Sequence, residues 1–477
     1  SVVDLPRGQK AIPCKWVYAI KRNVNGEIER YKARLVAKGC HQRLGIDFHK
    51  MFSPVARYST IRILLVLAAK EKMFLHQIDV SNAYLNSELQ DEVYMQQPQN
   101  FKENISPTKV LRLHKAIYGL KQSGREWNSK LDNTLRKMNF KPCDNEPCLY
   151  KGMRRNKQVL IAVYVDDIII GCKEKLIVLD IKKELASEFD VSDKGQLRHF
   201  LGMEIEREGE TGMIKLGQSQ YIRDLLQQYD MEGCKSLQVP LEPGYQVNCN
   251  DNDERVDQTA YQSLVGALIY LATSTRPDIL HSVSKLAQKN SDPRKTDMIG
   301  LKHILRYLAG SVDKKIIYQP NGSNIEGYVD ADWGGNRVDR KSYTGFIFFI
   351  GGCPISWESR KQMSVALSST EAEYVASSEA AKEAIYLKRL IKEIGALNNK
   401  YVTLHIDNQG ALKLAENPVY HKRSKHIDIR FHHIRDSVQK NEIKLKYCPS
   451  TNMVADVFTK NLSKQKHCNF IDLMNLK

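Results

Sequence analysis

Residues 159 to 171 read Val159-Leu160-Ile161-Ala162-Val163-Tyr164-Val165-Asp166-Asp167-Ile168-Ile169-Ile170-Gly171, an apolar run interrupted by two adjacent acids. Such a run needs burial on both sides of the acids, and a hairpin whose turn displays both carboxylates satisfies that need. At about 4 Å and an effective dielectric near 20, two like charges repel by roughly 4 kcal/mol, a large part of a domain's net stability. A bound divalent cation would relieve that repulsion. Asp is also common in ordinary turns, so the pair alone does not separate a metal site from a plain hairpin.

The chain of 477 residues is long enough for two to four domains, each with its own core. Its formal net charge of +17 favours a polyanionic partner such as nucleic acid, with an anionic membrane surface as the competing explanation. Against membranes, no apolar run approaches the roughly 20 residues that span a bilayer, and no signal-peptide pattern opens the chain. A soluble, intracellular protein is expected. The ten cysteines are dispersed, and the closest pair, Cys143 and Cys148, has no second pair to complete a zinc site. They read as reduced thiols. The start at Ser1, followed closely by the strand-like Cys14-Lys15-Trp16-Val17-Tyr18, suggests a polyprotein fragment or a processed product.

Along the chain, residues 14 to 36 read as a basic hairpin turning at Asn23-Val24-Asn25-Gly26. Helical composition follows at 60–72, strand composition at Ile78-Asp79-Val80, and helical composition again at 125–139. After Gly171, Ile177, Ile181, Leu185 and Phe189 recur at helical spacing, and 199–217 reads as a hairpin turning at 209–212. Pro240, Pro243, Gly244 and the polar run 249–258 mark a linker before helical stretches at 259–273 and 296–309. From 325 the pattern is three strands, a helix over 370–395 and a further strand, a second α/β domain.

Tyr164-Val165-Asp166-Asp167 is similar to the polymerase signature of reverse transcriptases, and Gln77-Ile78-Asp79-Val80-Ser81-Asn82-Ala83-Tyr84-Leu85 resembles that family's other acidic motif. Three further segments match copia-type retrotransposon polyproteins in order: Tyr31-Lys32-Ala33-Arg34-Leu35-Val36-Ala37-Lys38-Gly39, Phe52-Ser53-Pro54-Val55-Ala56-Arg57 and Tyr118-Gly119-Leu120-Lys121-Gln122. The resemblance implies that Asp79, Asp166 and Asp167 hold two Mg2+ ions, with Mn2+ as a substitute, for in-line phosphoryl transfer. It implies that Lys32 and Arg34 lie over an incoming triphosphate and that Gln122 contacts the nucleotide's sugar side. Tyr84 would bar a ribose 2′-hydroxyl, with a core tyrosine as the plain alternative. Leu201, Gly202 and Met203, within Phe200-Leu201-Gly202-Met203-Glu204-Ile205, resemble the hairpin that grips the primer end. Ser123-Gly124 departs from the Ala-Pro pair usual in copia-type relatives and puts the local loop geometry in doubt.

A second set of acids resembles ribonuclease H motifs: Gly327-Tyr328-Val329-Asp330-Ala331-Asp332-Trp333, Ser369-Thr370-Glu371-Ala372-Glu373, Leu404-His405-Ile406-Asp407-Asn408 and Met453-Val454-Ala455-Asp456-Val457-Phe458-Thr459-Lys460. Carried over, Asp330, Glu371, Asp407 and Asp456 would bind two metals, with Asp332 and Glu373 as neighbouring acids outside the set. Taken singly, Glu371 reads as a helix-start acid and Asp456 as a surface residue. The basic run His421-Lys422-Arg423-Ser424-Lys425-His426 would contact hybrid phosphates or simply be solvated. His432, His433 and Cys448 complete no tetrahedral zinc set.

The expected fold is therefore an α+β multidomain chain, a right-hand polymerase with fingers, palm and thumb at 1–240, a connection region at 241–325, an RNase H-like α/β domain at 326–465 and a tail at 466–477. The resemblance implies an RNA-directed DNA polymerase with RNase H activity whose partners are an RNA template, a DNA or tRNA primer, an RNA/DNA hybrid and dNTPs. It further implies a dimer, integrase and capsid partners from the same polyprotein, and cytoplasmic virus-like particles whose cDNA goes to the nucleus. A noncatalytic nucleic-acid-binding subunit and a defective element relic stand as alternatives.

Overall fold

The computed structural model describes residues 1–22, 27–99, 108–209, 212–247, 253–395, 400–416 and 428–477. Contacts divide it into two units, one of residues 1–56 and 75–196, the other of residues 57–74 and 197–477.

The first unit is built on a six-stranded sheet ordered Val191–Gln196, Phe74–Val80, Asp167–Cys172, Lys157–Tyr164, Leu149–Arg154 and Lys141–Pro142. The apolar run forms the hairpin at its centre, with Ile168 on one strand facing Val163 on the other. Residues 159–163 and 168–172 are all buried, which explains a near-continuous apolar sequence in place of alternation. The helices Ser123–Lys137 and Lys175–Glu188 contribute Trp127, Leu131, Ile177 and Leu185 to the buried set. A three-stranded sheet (Val2–Asp4, Lys109–Lys115, Glu88–Met95) and a two-stranded ribbon (Cys14–Arg22 with Ile28–Ala37) complete the unit. The expected turn at 23–26 lies outside the described residues.

The second unit holds a four-stranded sheet, in order His199–Phe200, Met203–Arg207, Ile214–Gly217 and Ile316–Tyr318, with α-helices over 58–71, 219–228, 258–274, 280–287 and 295–309, and further helices at 369–393, 409–416, 428–439 and 464–473. The rest is a five-stranded sheet ordered Cys353–Lys361, Tyr343–Ile350, Ile325–Ala331, Val402–Ile406 and Ile443–Tyr447. Its first three strands are antiparallel and its last two join in parallel. Parallel neighbours need a long crossover, and the helix Ser369–Glu393 lies within the one between Ile325–Ala331 and Val402–Ile406.

The two units divide the chain differently from the expected domains. Residues 197–240 group with the second unit, as does the helix Tyr58–Glu71. Arg62 of that helix is buried there, its guanidinium 3.5 Å from the Trp357 ring centroid and donating to the Ser274 carbonyl at 2.9 Å. Residues 466–477, expected as a C-terminal tail, lie in and beyond the helix Lys464–Leu473, bury Phe470, Ile471, Met474 and Leu476, and pair Lys477 with Lys315 through backbone hydrogen bonds. Among the described residues, no helix is long and apolar enough to cross a membrane, and nine cysteines are free thiols.

Candidate active sites

In the first unit the strand Phe74–Val80 lies beside Asp167–Cys172, and the Val80 N–H donates to the Asp166 carbonyl at 2.9 Å. Tyr164 pairs with Asp167, so Val165 and Asp166 form a two-residue turn. Val165 has φ +57°, a strained position for a β-branched residue that costs on the order of 1–3 kcal/mol. The Trp127 indole N–H donates to the Val165 carbonyl at 2.7 Å and holds the turn in place.

This geometry brings Asp79, Asp166 and Asp167 into electrostatic contact. Burial pushes the Asp166 carboxyl above its ordinary value and Asp79 adds to the push, while Arg34 and Lys32 oppose it. Burial likewise raises Asp167, reinforced by Asp166 and Asp79 and opposed by the Gln77 amide, which donates to it at 2.9 Å. Lys32 and Arg34 sit on the strand Ile28–Ala37, whose end is docked by the Ala37 N–H donating to the Tyr118 carbonyl at 2.9 Å. Gly119 makes this approach possible, since it has φ +93° and any Cβ there would collide with the Ala37 carbonyl. The Arg34 guanidinium lies 4.8 Å from the Tyr118 ring centroid, and Tyr84 meets the same ring edge-on at 4.9 Å. Tyr84 is half-buried, and its phenol is raised by burial and then by Asp166. Tyr118 was legible only as part of the segment Tyr118-Gly119-Leu120-Lys121-Gln122, because one aromatic in a loop has no periodicity that would mark it as a site residue.

Gln122, expected at the nucleotide's sugar side, lies away from the surface. It is fully buried, and its amide accepts from Gln42 at 2.8 Å and donates to the Asp47 carbonyl at 2.9 Å. These bonds anchor the loop around Gln42 and Asp47. In the second unit, Leu201 and Gly202 form the two-residue turn of a hairpin, both at positive φ, with Phe200 paired to Met203. Met203 is 1% exposed and faces the core, which leaves Leu201 and Gly202 as the residues available to a partner.

The second unit also contains the tightest acidic site. The parallel strands Ile325–Ala331 and Val402–Ile406 place Val329 beside Ile406, so Asp330 and Asp407 follow in register at the same end of the sheet. Glu373, in the second turn of the helix Ser369–Glu393, completes the set. One ligand atom from each of Asp330, Glu373 and Asp407 lies within 4.8 Å of the others. Glu371, expected in this set, stands instead partly buried at the helix start, where its carboxylate accepts from the Leu367 N–H at 2.9 Å.

Burial pushes Asp330 up to about 6; Lys460 opposes the shift, and Asp456 and Asp407 reinforce it. Glu373 is driven well above its usual value by burial and by the two aspartates. Lys460 donates to Asp330 at 3.2 Å and to Asp456 at 3.0 Å, Lys466 also donates to Asp456, and Thr459 donates to Asp330. Asp456 is 1% exposed, and so is no surface residue. Ser450 donates to Asp407 at 2.9 Å. Glu373 Oε2 is buried with no hydrogen-bond partner. A partnerless carboxylate oxygen among crowded acids is costly unless a cation is bound, and all-oxygen donors suit a hard divalent ion. The site is thus able to hold a divalent metal. Sequence reading set Glu373 aside because alternating acids at a helix start look alike until the helix is docked. The basic run 421–426 and the His432 side chain lie outside the described residues.

Residues 1–243 match the family model described as reverse transcriptase (RNA-dependent DNA polymerase). The chain is 38% identical over 473 residues to the retrovirus-related Pol polyprotein from transposon TNT 1-94 of Nicotiana tabacum, covering 98% of this chain and 36% of that protein. It is 38% identical over 460 residues to the corresponding polyprotein from transposon RE1 of Arabidopsis thaliana, covering 96% and 31%. It thus spans about a third of the length of these plant relatives. A putative transposon Ty5-1 protein of Saccharomyces cerevisiae matches over its whole length at 32% identity, covering 64% of this chain. Among solved structures, a foamy viral protease-reverse transcriptase in complex with dsDNA shares the fold at TM-score 0.50 and 14% identity, over 94% of this chain and 79% of that one. By its sequence from end to end and by its fold, the chain belongs to the reverse transcriptase family, in the branch carried by copia-type transposon Pol polyproteins.

Proposed function

We propose that this chain is an RNA-directed DNA polymerase and ribonuclease H that copies retrotransposon RNA into cDNA and removes the copied RNA. The observation that carries the reading is the pair of acidic sites, Asp79-Asp166-Asp167 in one unit and Asp330-Glu373-Asp407 in the other, within a chain of the reverse transcriptase family. Bound Mg2+ or Mn2+ supplies Lewis-acid activation of an attacking oxygen and charge neutralisation at the leaving group.

The chain's own residues do the rest. Lys32 and Arg34 attract and orient a triphosphate beside Asp166, and Tyr118 braces Arg34 from below. Tyr84 stands against Tyr118 and within the field of Asp166, where its ring would exclude a 2′-hydroxyl. Leu201 and Gly202 meet the primer strand. At the second site Asp330, Glu373 and Asp407 form the ligand set, with Asp456 as a fourth acid held by Lys460 and Lys466. The substrates are an RNA template, a DNA or tRNA primer, dNTPs and the RNA/DNA hybrid, consistent with a net charge of +17. Particle association with integrase and capsid products of the same polyprotein belongs to the same reading.

The test is Mg2+-dependent dNTP incorporation on a primed RNA template, comparing the parent with an Asp166→Asn, Asp167→Asn double variant, alongside cleavage of a labelled hybrid. Incorporation lost and hybrid cleavage kept in the variant supports two separate centres. A folded parent that binds hybrid but neither extends nor cleaves would overturn the reading in favour of a noncatalytic binding subunit.

A further inference from the structure

The acid displaced from the metal set has other work in the fold. Glu371 accepts from the Leu367 N–H at 2.9 Å, while its own N–H donates to the Ser368 hydroxyl at 3.2 Å. The same loop is held from its other side, where the Trp333 indole N–H donates to the Ala366 carbonyl at 3.1 Å. At its start, Gln362 is buried, its N–H donating to the Ser342 carbonyl at 2.7 Å and its amide to the Ala372 carbonyl at 3.0 Å.

A loop pinned at three points would ordinarily fold its apolar side chains inward. Here they point out: Met363 is 86% exposed, Leu367 79% and Val365 45%, with Trp333 at 59% beside them. Large apolar side chains held rigidly in water mark a contact surface. Two features of the surroundings identify the contact. The neighbouring segment 336–341 carries Arg340 and Lys341, and it is tied to the loop's edge by Lys361, which bonds Asp339 at 2.7 Å and shares the Gln288 side-chain Oε1 with Asn336 at 2.8 Å. The carboxylate set lies at the same end of the sheet, since Trp333 is three residues beyond Asp330 and Glu373 two beyond Glu371. An apolar ridge flanked by cations next to a phosphodiester-cleaving site matches the alternation of sugar and phosphate along a duplex groove.

We propose that residues 363–367 form an apolar ridge that packs on the sugar edges of an RNA/DNA hybrid, and that Glu371 is a positioning residue that sets the height of this ridge beside the carboxylates. The inference rests on the nuclease reading above. The ridge orients the duplex through Met363, Val365 and Leu367, and Trp333 serves both as its buttress and as part of its face.

The experiment measures hybrid affinity by fluorescence anisotropy and steady-state cleavage of the same labelled RNA/DNA hybrid, with the full chain. Replacing Met363→Ser and Leu367→Ser together is expected to weaken affinity and raise KM about tenfold, with kcat within about twofold of the parent. Glu371→Ala moves KM in the same direction, and Glu371→Gln, which keeps an oxygen acceptor for Leu367, restores it. Ser368→Ala removes only the helix cap and lowers the melting temperature without moving KM, which separates ridge positioning from general stability. Parental affinity and KM in both the serine double variant and Glu371→Ala would overturn the ridge while leaving the nuclease reading intact. A parent that binds hybrid without cleaving it, with binding lost in the double variant, would support the ridge and remove the nuclease reading. A parent with no affinity for hybrid would overturn both.

Discussion

Glu371 and Glu373 stand two residues apart in one helix, a rotation of about 200°, so only one of them can face Asp330 and Asp407. Which one is decided by how the helix Ser369–Glu393 rolls onto the sheet, and that roll follows from burial of Ala372, Val375, Ala376 and Ala380. Both acids were legible in Ser369-Thr370-Glu371-Ala372-Glu373; the phase between helix and sheet was not, because it depends on packing against the strands Ile325–Ala331, Tyr343–Ile350 and Val402–Ile406, outside the helix's own stretch of chain. Glu373→Gln is expected to lower hybrid cleavage by about a hundredfold, or about 3 kcal/mol of transition-state stabilisation. In divalent-free buffer at neutral pH the same variant melts higher than the parent, since one of three crowded carboxylates is removed. A cleavage rate within a few-fold of the parent would remove Glu373 from the site. Gln122 shows the same limit from the other side. A motif names the residue type, and only the packed loop at Gln42 and Asp47 reveals that its amide is consumed internally.

The hairpin over 157–172 was readable because two apolar strands around adjacent acids admit few other folds, the helices Lys175–Glu188 and Ser369–Glu393 from their period, and other long helices from composition. Short elements were not: the helices Ser219–Gln228 and Leu280–Ala287 are ten and eight residues long, too short for a period to stand out. The strain at Val165 was also invisible, since a β-branched residue carries no mark of positive φ. Its stability depends on the neighbouring helix, through Trp127. Trp127→Phe fills most of the same volume but removes the donor to the Val165 carbonyl. It should destabilise the protein by about 1–2 kcal/mol in urea unfolding, and reduce dNTP incorporation by a larger factor than hybrid cleavage. An equal loss of both activities would mean that the indole supports the whole fold rather than the turn.

At the scale of the molecule, the chain does not divide where its composition changes. The helix Tyr58–Glu71 leaves the first unit because Arg62 finds carbonyls and an aromatic face in the second, and burial pulls that guanidinium down to about 10. The second unit is tied together by another buried network in which Arg276 donates to Asp278 at 2.7 Å, Tyr307 donates to Asp278 at 2.6 Å, and His467 of the last helix meets the Tyr307 hydroxyl at 3.2 Å. Burial depresses His467 to about 4. Unfolded, this histidine titrates near 6.5, so between those values the unfolded chain binds the proton that the fold excludes. Stability is therefore full above about pH 6.5 and is lost as pH falls toward 4, by roughly 3 kcal/mol from this group. His467→Gln should flatten the melting temperature between pH 6.5 and 4 relative to the parent. An unchanged slope would show that other groups govern acid sensitivity.

The sequence by itself determined the chemistry available and its order: six of the seven expected acids stand in or beside the two acidic sites, the basic pair Lys32 and Arg34 faces Asp166, and the expected long helices and the central hairpin recur in the structure. These features are local, set by residue type and by periods of two and 3.6 that any stretch of chain must obey. The tertiary structure alone decided which of two glutamates joins Asp330 and Asp407, that Gln122 and Met203 face inward, that residues 57–74 serve the second unit, and that the final helix is part of its core. Each of these outcomes depends on contacts between residues far apart in the chain, where the free energy of burial and hydrogen bonding chooses among faces that the local sequence leaves equivalent.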